Sequence, residues 1–315
     1  MDLVARAACS SAPVIITGES GTGKERVAQI IHNLSPRNAG PYVPVNCAAI
    51  PETLIESELF GYERGAFTGA DRTREGCFES ANGGTLLLDE FVEMRPDMQA
   101  KLLRAIEERR VRRLGGKHEV TVDVRVLAAT NQPLKHAISA GLLREDLFYR
   151  LSVFVLELPP LRKRIEDLPM LVAHFILEAN QDHKREIEGV SADGLEVLKA
   201  HRWPGNVREL RNVIHRAVIV SKQRTISLDD LPPQLCSPDG KVECLAVPVG
   251  SSLDEVEREL IDRTIEFTAG NKTLAARMLG VGVRTLYRRL ERYADSEPAC
   301  RRTGDRIVPR NGSGA

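Results

Sequence analysis

The sequence predicts an α/β domain with a largely parallel sheet, followed by helical regions. Five short β-branched or apolar runs alternate with helical patterns, as in folds whose parallel strands are joined by helices. These runs are residues 14–17, 43–46, 85–89, 124–129 and 153–158. After Pro159 and Pro160 the strand pattern stops and apolar residues recur at helical spacing. We therefore expect a helical subdomain to follow the sheet.

The helical part of the chain is interrupted by an aperiodic stretch rich in proline and glycine. Helices are predicted at residues 167–180, 192–200 and 206–221, and helical patterning resumes at residue 253. The expected order is an α/β subdomain, a helical subdomain, a linker, a small all-α domain and a disordered tail. Their predicted bounds are 1–160, 161–233, 234–252, 253–295 and 296–315.

Composition places the chain among globular proteins. Its 315 residues are 42% hydrophobic, enough for a sizeable core and two or three domains. No apolar run approaches the roughly 20 residues of a membrane span, and the amino terminus does not resemble a signal peptide. We therefore expect a cytoplasmic protein with no membrane partner. The six cysteines lack metal-ligand spacing, so reduced thiols are expected, without zinc or a disulfide.

A phosphate-binding loop follows the first predicted strand. The segment VIITGESGTGKE carries the Gly-x4-Gly-Lys spacing between a strand and a helix. Glycines let backbone N–H groups converge on phosphate, and the lysine reaches the β and γ oxygens. The alternative is a glycine-rich turn with a chance lysine. The predicted nucleotide-binding residues of this P-loop are Gly18, Glu19, Ser20, Gly21, Thr22, Gly23, Lys24 and Glu25.

Two acids at the end of the third predicted strand supply a metal ligand. Glu25 stands where the general motif has Ser or Thr to ligate Mg²⁺, so metal binding needs another carboxylate. GGTLLLDE places Asp89 and Glu90 at the carboxyl end of a strand, where α/β sheets bind ligands. We assign Asp89 to Mg²⁺ and Glu90 to the attacking water, because phosphoryl transfer depends on positioning and charge. Structural capping is the alternative for the two acids alone.

Four further polar residues are candidates for the same chemistry. Asn131 ends the fourth strand, where it would hold the hydrolytic water or sense the γ-phosphate, or else form a turn. Arg144 and Arg150 would reach the γ-phosphate of a neighbouring subunit in an oligomeric ATPase, or else form surface salt bridges. Arg208 lies in the first turn of a helix, where a cation opposes the helix dipole, so a phosphate contact is predicted.

A glycine-bounded loop carries a single aromatic residue. Its composition suits neither a helix interior nor a packed strand. Taken alone, Phe67 would fold back onto the domain, in keeping with the usual burial of phenylalanine. Beside a nucleotide site, the two glycines are predicted to let the loop extend and retract. The loop consists of Gly65, Ala66, Phe67, Thr68, Gly69 and Ala70.

The carboxyl-terminal region predicts a DNA-binding helix-turn-helix. Ala276, Gly280 and Leu286 have the spacing of its contact, turn and docking positions. Residues 271–302 hold eight basic and three acidic side chains, although the whole chain has 44 of each. An ordinary helical hairpin is the alternative. A helix at 253–267 is predicted to form a dimer, because two half-sites require paired modules. The predicted DNA-contacting residues are Arg284, Thr285, Tyr287, Arg288 and Arg289.

Five segments of the chain resemble the central domain of bacterial enhancer-binding proteins, the AAA+ activators of sigma-54 RNA polymerase. In chain order they are GESGTGKE, ESELFGYERGAFTGA, GGTLLLDE, LREDLFYRL and WPGNVREL. The resemblance covers residues 3–295 and includes a Fis-type DNA-binding module. It implies an AAA+ P-loop ATPase with a helical lid, assembled from dimers into a hexameric ring. Such a ring hydrolyses ATP with Mg²⁺, binds enhancer DNA and remodels the closed promoter complex.

The resemblance also implies roles for single residues near the nucleotide. Family P-loops normally end in Glu, so Glu25 fits the pattern. Asn46 matches the asparagine that, in the family, holds the Walker B glutamate, here Glu90, until hydrolysis is signalled. The alternative is that Asn46 is only a turn residue at the end of a strand. Arg144 and Arg150 match arginines that act across the subunit boundary. Arg208 matches the second sensor.

Two surface loops acquire a function through the same resemblance. The loop at 65–70 matches the sigma-54 contact, made by Phe67 and Thr68. Residues 107–116 match a second loop near the ring pore, although their sequence alone indicates a solvated charged face.

Some features depart from the family pattern or leave other functions open. Phe91 and Val92 follow the two acids, where the family usually has Ile-Gly. No sensory domain fits ahead of residue 14, so we expect regulation by a separate protein or a longer parent chain. A DNA-binding regulator that acts by occupancy, or a generic AAA+ remodeller, would share the fold. The intact loop at 65–70 and both acids favour the activator.

Overall fold

The chain divides into two compact units. The first consists of residues 1–195 and 202–231, and the second of residues 196–201 and those from 232 onward. The computed structural model describes residues 2–236, 252–268 and 270–295. The predicted tail at 296–315 and most of the predicted linker at 234–252 lie outside the described residues.

The first unit is built on a five-stranded sheet that is parallel throughout, in the order β2-β5-β8-β1-β9. The five predicted strands are confirmed, with bounds that shift by no more than one residue. The strands of the described residues are β1 (Val14–Thr17), β2 (Tyr42–Asn46), β3 (Gly61–Tyr62), β4 (Arg74–Glu75), β5 (Thr85–Asp89), β6 (Arg110–Arg112), β7 (Glu119–Thr121), β8 (Arg125–Thr130), β9 (Phe154–Glu157), β10 (Gly189–Val190) and β11 (Thr225–Ile226).

Helices connect the strands and predominate in the described part of the chain after β9. The helices predicted at 167–180, 192–200 and 206–221 are confirmed as α8, α9 and α10. The α-helices of the described residues are α1 (Asp2–Cys9), α2 (Lys24–Asn33), α3 (Glu52–Phe60), α4 (Cys77–Ser80), α5 (Pro96–Glu108), α6 (Leu134–Ser139), α7 (Glu145–Leu151), α8 (Leu168–His183), α9 (Ala192–Ala200), α10 (Asn206–Val220), α11 (Leu253–Phe267), α12 (Lys272–Met278) and α13 (Val283–Asp295).

The central strands β5 and β8 are buried along their length because helices cover both faces of a parallel sheet. Arg125, at the start of β8, is a buried charge among these apolar residues. Its guanidinium donates hydrogen bonds to the carbonyls of Ala7 and Ala8 in the last turn of α1, and to that of Ala12 just beyond the helix. A cation is favourable there because helix carbonyls carry partial negative charge. Arg125 therefore links α1 to the amino end of β8 by hydrogen bonds.

Two short antiparallel pairs, β3–β4 and β6–β7, lie outside the main sheet. The backbone N–H of Glu63 donates to the carbonyl of Leu114 at 3.0 Å, and the N–H of Leu114 donates to Gly61 at 2.9 Å. These bonds join the two pairs into one platform, which we call the loop platform (residues 61–75 and 110–121). The predicted loop at 65–70 belongs to it, as does the predicted loop at 107–116 from residue 110 onward.

The small helical domain of the second unit has its own apolar core. This core contains Ile261 of α11, Ala275 and Ala276 of α12, and Leu286 and Tyr293 of α13. Gly280 follows α12 with φ 66, a left-handed conformation that glycine adopts readily after a helix. The predicted helix-turn-helix spacing is therefore confirmed. None of the helices in the described part of the chain has the length and apolar character required to cross a membrane.

Candidate functional site

The P-loop connects β1 to α2 at the carboxyl edge of the sheet. Gly23 precedes the first residue of α2 with φ 100, and nothing lies within 4 Å of a Cβ added to it. The loop is therefore open at the amino terminus of α2, where unpaired N–H groups favour an anion. Gly21 has φ 77, and an added Cβ would lie 2.3 Å from the carbonyl oxygen of Gly205. Only glycine fits at this close approach.

Lys24 links the P-loop to the acid at the end of β5. The Lys24 side chain is only 7% exposed, and its Nζ lies 3.1 Å from the carbonyl of Gly18 and 3.3 Å from Glu90 Oε1. The other carboxylate oxygen of Glu90 accepts a hydrogen bond from the backbone N–H of Asn131 at 2.9 Å. Glu90 has φ 53, a left-handed conformation that costs a non-glycine residue about 1–3 kcal/mol. Such strain at a polar site supports a functional position for this carboxylate.

Asp89 lies beside Glu90, where the chemistry of the site fits a divalent cation. Burial raises the pKa of Asp89, the neighbouring Glu90 charge raises it further, and Lys24 opposes the rise. Two adjacent carboxylates thus share the positive charge of Lys24. Carboxylates are the ligands that Mg²⁺ prefers, and an ion bound at Asp89 would stabilise its charged form. Glu25 is exposed in the first turn of α2.

Asn46 pairs with Asp89 across β2 and β5, so it lies at the same edge. Its Oδ1 accepts hydrogen bonds from the backbone N–H groups of Ala48 and Ala49 at 3.0 and 3.1 Å. This is the turn geometry that was its alternative interpretation. A role in holding Glu90 stays a prediction. The side chain of Asn131 is exposed, and the contact of that residue with Glu90 is made by its backbone.

Arg208 reaches the P-loop from the first turn of α10. Its Nη1 donates to the hydroxyl of Ser20 at 3.0 Å. The backbone N–H of Val207 donates to the carbonyl of Gly21 at 2.9 Å. Arg208 therefore contacts the P-loop, and its contact with phosphate stays a prediction.

The loop at 65–70 lies at the tip of the loop platform. Gly65 and Gly69 have φ values of 82 and 103, and the N–H of Gly65 donates to the carbonyl of Ala70 at 2.8 Å. Phe67 is 41% exposed, and its ring meets that of Tyr62 edge-on at 5.0 Å. The aromatic side chain thus combines partial packing with partial exposure.

Arg113 holds the base of this platform. Its guanidinium donates to both oxygens of Glu79, at 2.8 and 2.6 Å, and to Glu63 at 3.1 Å. These hydrogen bonds raise the pKa of Arg113. Arg113 is only 19% exposed, so the segment at 107–116 is not uniformly a solvated charged face. Its exposed charged residues are Glu107, Glu108, Arg109, Arg110 and Arg112.

The predicted DNA-contacting residues divide into two groups on α13. Arg284, Tyr287 and Arg288 are exposed, and Thr285 is half-buried. Arg289 is turned toward α11, where it pairs with Glu257 at 2.5 Å. The first group is available to a ligand, whereas Arg289 stabilises the packing of the domain.

Three family models match consecutive parts of the chain. The sigma-54 interaction domain matches residues 1–157, the AAA+ ATPase lid domain matches 162–243, and the bacterial regulatory protein, Fis family, matches 252–293. Transcriptional regulatory protein FlbD of Caulobacter vibrioides is 48% identical over 308 residues, which cover 93% of this chain and 68% of FlbD. The chain belongs to the sigma-54-dependent transcriptional activators.

Other similar proteins support the same family assignment. Regulatory protein AtoC of Escherichia coli is 48% identical over 295 residues, covering 92% of this chain and 64% of AtoC. A crystal structure of NtrX from Brucella abortus in complex with ATP has a TM-score of 0.69 and 34% identity, and covers 93% of this chain and 66% of NtrX. The activator thus has the AAA+ fold with a helical lid and a helix-turn-helix domain. It spans less than two thirds of AtoC.

The two predicted trans-acting arginines of the activator lie at opposite ends of α7. Arg144 immediately precedes the helix and donates to both oxygens of Asp146, at 3.1 and 2.7 Å. Arg150 lies in the last turn and lines a cavity with Arg109 and Val153. In the single chain Arg144 thus forms the salt bridge that was its alternative interpretation. Action on a neighbouring subunit stays a prediction for both.

Sequence reasoning missed several residues that contact the P-loop of the activator. Arg162 donates to Glu19 at 2.7 and 2.6 Å, and Arg164 donates to the carbonyl of Thr22 at 2.8 Å. The side chain of Asn206 donates to Glu19 and Ser20 at 3.2 and 3.0 Å. The only available signal was the density of arginines in LRKR, which follows the last strand of the five-stranded sheet. That signal does not identify a partner more than 140 positions away.

Proposed function

We propose that the chain is an ATP-driven activator that binds enhancer DNA and remodels the sigma-54 RNA polymerase closed complex into an open complex. The observation that supports this most directly is the contact of Lys24 with Glu90 at 3.3 Å, beside a P-loop. The proposed boundaries are an α/β subdomain at 1–160, a lid at 161–233 and a DNA-binding domain at 253–295. We place the protein in the cytoplasm, where its proposed partners RNA polymerase and DNA are found.

The proposed chemistry follows from the residues around the P-loop. Backbone N–H groups at the start of α2 and the Lys24 ammonium would bind the phosphates of ATP. Asp89 would hold Mg²⁺, which neutralises charge that develops on the phosphate oxygens. Glu90 would orient the attacking water, and Arg208 would add positive charge at the γ-phosphate.

Nucleotide binding would also release the catalytic carboxylate. In the structure, Lys24 Nζ lies 3.3 Å from Glu90 Oε1. Phosphate oxygens compete for the same ammonium, because charge-assisted contacts to phosphate are strong. Glu90 would then be free to accept a hydrogen bond from water while the backbone N–H of Asn131 keeps it in place. The site would become active only when substrate is bound.

The loop at 65–70 would deliver the result of hydrolysis to sigma-54. Phe67 is partly packed on Tyr62, and glycines flank the segment on both sides. A ring of six subunits would present several such loops together, and Arg144 and Arg150 would complete neighbouring sites in the ring. The exposed side chains of α13 would bind DNA in a dimer formed through α11.

Open-complex formation on a sigma-54 promoter with ATP tests this function. We expect Glu90→Gln and Thr68→Ala each to abolish activation, the first by stopping hydrolysis and the second by removing the contact with sigma-54. Met170→Ala is the control, because Met170 is an exposed side chain of α8. Activation that survives both changes would exclude the mechanism. Hydrolysis without binding to the sigma factor would instead favour a generic remodeller.

A further inference from the structure

The carboxylate of Glu19 is bound by the lid, although the residue belongs to the P-loop motif. Arg162 donates to both of its oxygens, at 2.7 and 2.6 Å, and Asn206 donates to one of them at 3.2 Å. The hydrogen bonds from Arg162 and then Asn206 lower the pKa of Glu19 to about 2. We call these three residues the Glu19 cluster. An ordinary P-loop needs backbone N–H groups at this position, so the side chain is free for another task.

Asn206 is the buried member of the cluster. Its side chain uses both kinds of hydrogen-bonding group: Oδ1 accepts from the N–H of Leu161 at 2.8 Å, and Nδ2 donates to the carbonyl of Ser20 at 3.0 Å and to Glu19. It is fully buried and has φ 53, so its backbone is strained as well. A buried amide with every contact satisfied specifies one geometry.

The lid contacts every residue from Glu19 to Thr22. Ser20 and Gly21 are bonded by α10, and the carbonyl of Thr22 accepts from Arg164 at 2.8 Å. The loop is therefore shaped by groups that come from outside its own strand and helix. Since Arg208 is two residues from Asn206, the same anchor fixes the start of the helix that carries Arg208 to Ser20.

We propose that Glu19, Arg162 and Asn206 are positioning residues that hold the P-loop in its phosphate-binding shape before nucleotide arrives. The assignment rests on the proposed nucleotide function of the same loop. A loop held in its bound conformation loses less conformational entropy on binding and therefore has a higher affinity. An exposed ion pair alone would contribute little, but the paired Arg162 contacts and the buried Asn206 make the geometry specific.

The first experiment measures binding of N-methylanthraniloyl-ADP to the full chain. Glu19→Gln and Arg162→Gln are each expected to raise the dissociation constant about three- to tenfold, because each removes a charge-assisted pair. The KM of ATP hydrolysis should rise together with the dissociation constant, while kcat changes less. The dissociation constant of the double variant should not exceed that of the single variant that binds less tightly, since both changes remove one interaction. Glu186→Gln is the matched control, because Glu186 forms an exposed pair with Arg224 in the same subdomain.

The second experiment exchanges donor and acceptor within the cluster. Asn206→Asp keeps the oxygen that accepts from Leu161 but places a carboxylate against Glu19, so nucleotide affinity should fall further. Adding Glu19→Gln supplies an amide that donates back to the carboxylate introduced by Asn206→Asp, and nucleotide affinity should partly recover. A general loss of packing would not be reversed by this second change. Circular dichroism melting confirms that each variant is folded.

The outcomes separate this proposal from the proposed function. If the wild-type chain binds no nucleotide, the proposed function fails. If the wild-type chain binds and hydrolyses nucleotide but Glu19→Gln and Arg162→Gln bind like the Glu186→Gln control, the positioning role alone is overturned. Multiplicative effects in the double variant, or no recovery in the exchange variant, would also overturn it.

Discussion

The P-loop and the residues around it at the carboxyl edge of the sheet, which we call the nucleotide edge, belong to the same unit as the loop at 65–70. The two regions differ in the range of the contacts that hold them. At the edge, Lys24, Glu90 and Arg208 are each bonded to groups from another element. At the loop, the bonds are short-range backbone contacts, and Phe67 meets a single ring. Phosphoryl transfer requires preorganised charges, whereas a surface that changes its contacts requires low local stability. The firmly bonded edge thus suits the proposed hydrolysis of ATP, and the weakly bonded loop suits the proposed contact with sigma-54.

Glu90→Gln disrupts only the chemistry and has the largest expected effect. Glutamine keeps the size of the side chain but loses the charge that polarises water. The ATPase kcat should fall about 100-fold or more, while labelled ADP binds within about threefold of wild type. Phosphate release and fluorescence titration measure the two quantities. A loss of less than about fivefold in kcat would contradict the assigned role.

Phe67→Ala disrupts only the output. Hydrolysis should stay within about twofold of wild type, because the ring does not contact the nucleotide edge in the described contacts. Binding to sigma-54 with an ATP-state analogue should be lost in a pull-down. Unfolding should be easier by about 1 kcal/mol or less, since Phe67 is 41% exposed. Retained sigma-54 binding would mean that another residue makes the contact.

Arg113→Gln sharpens the comparison, because the base of the platform is as tightly bonded as the nucleotide edge. The change leaves Glu79, which is 8% exposed, without its cation. We expect the free energy of unfolding to fall by about 1–3 kcal/mol, measured by urea denaturation. Arg110→Gln is the control, since its pair with Glu119 is exposed at 3.5 Å. Equal effects of the two changes would show that the platform does not depend on this network.

Asp89→Asn has the smallest expected effect on stability. Burial, followed by the Glu90 charge, raises the pKa of Asp89 in the folded chain, so ionisation favours the unfolded state. This destabilisation is absent below the unfolded pKa, near 4, and complete above the folded pKa. The variant should therefore be more stable at pH 7 by about 1 kcal/mol or less, with the gain disappearing toward pH 4.

Urea denaturation at both pH values measures this difference, and the same variant should lack Mg²⁺-dependent hydrolysis. A gain that is independent of pH would contradict the assigned cause. A stabilised but inactive variant would show that charge at the nucleotide edge serves function at the expense of stability.

The strands and the P-loop could be predicted because their signals are local. A buried parallel strand such as β5 is a continuous apolar run, and the P-loop has a fixed spacing. The bonds of Arg113, Arg162 and Asn206 could not be predicted, because their partners are 34 to 187 positions away. The sequence predicts a DNA contact for Arg289 because the residue is basic and on α13, but its side chain pairs with Glu257 of α11. Local patterns thus identify helices and strands, whereas pairing between distant residues determines whether a charged side chain packs inside the domain or faces a ligand.

Arg125 gives the molecule a mechanical connection from one end of the sheet to the other. The residue holds the carboxyl end of α1, and the strand that it begins ends next to Asn131, whose N–H holds Glu90. Strand β8 has six residues, a stiff rod of about 20 Å. We expect a displacement of α1 to be passed along β8 toward Glu90, and in part to β1 and β5, which pair with β8 on either side. The amino-terminal helix and the carboxylate proposed to position water are thus connected through the sheet.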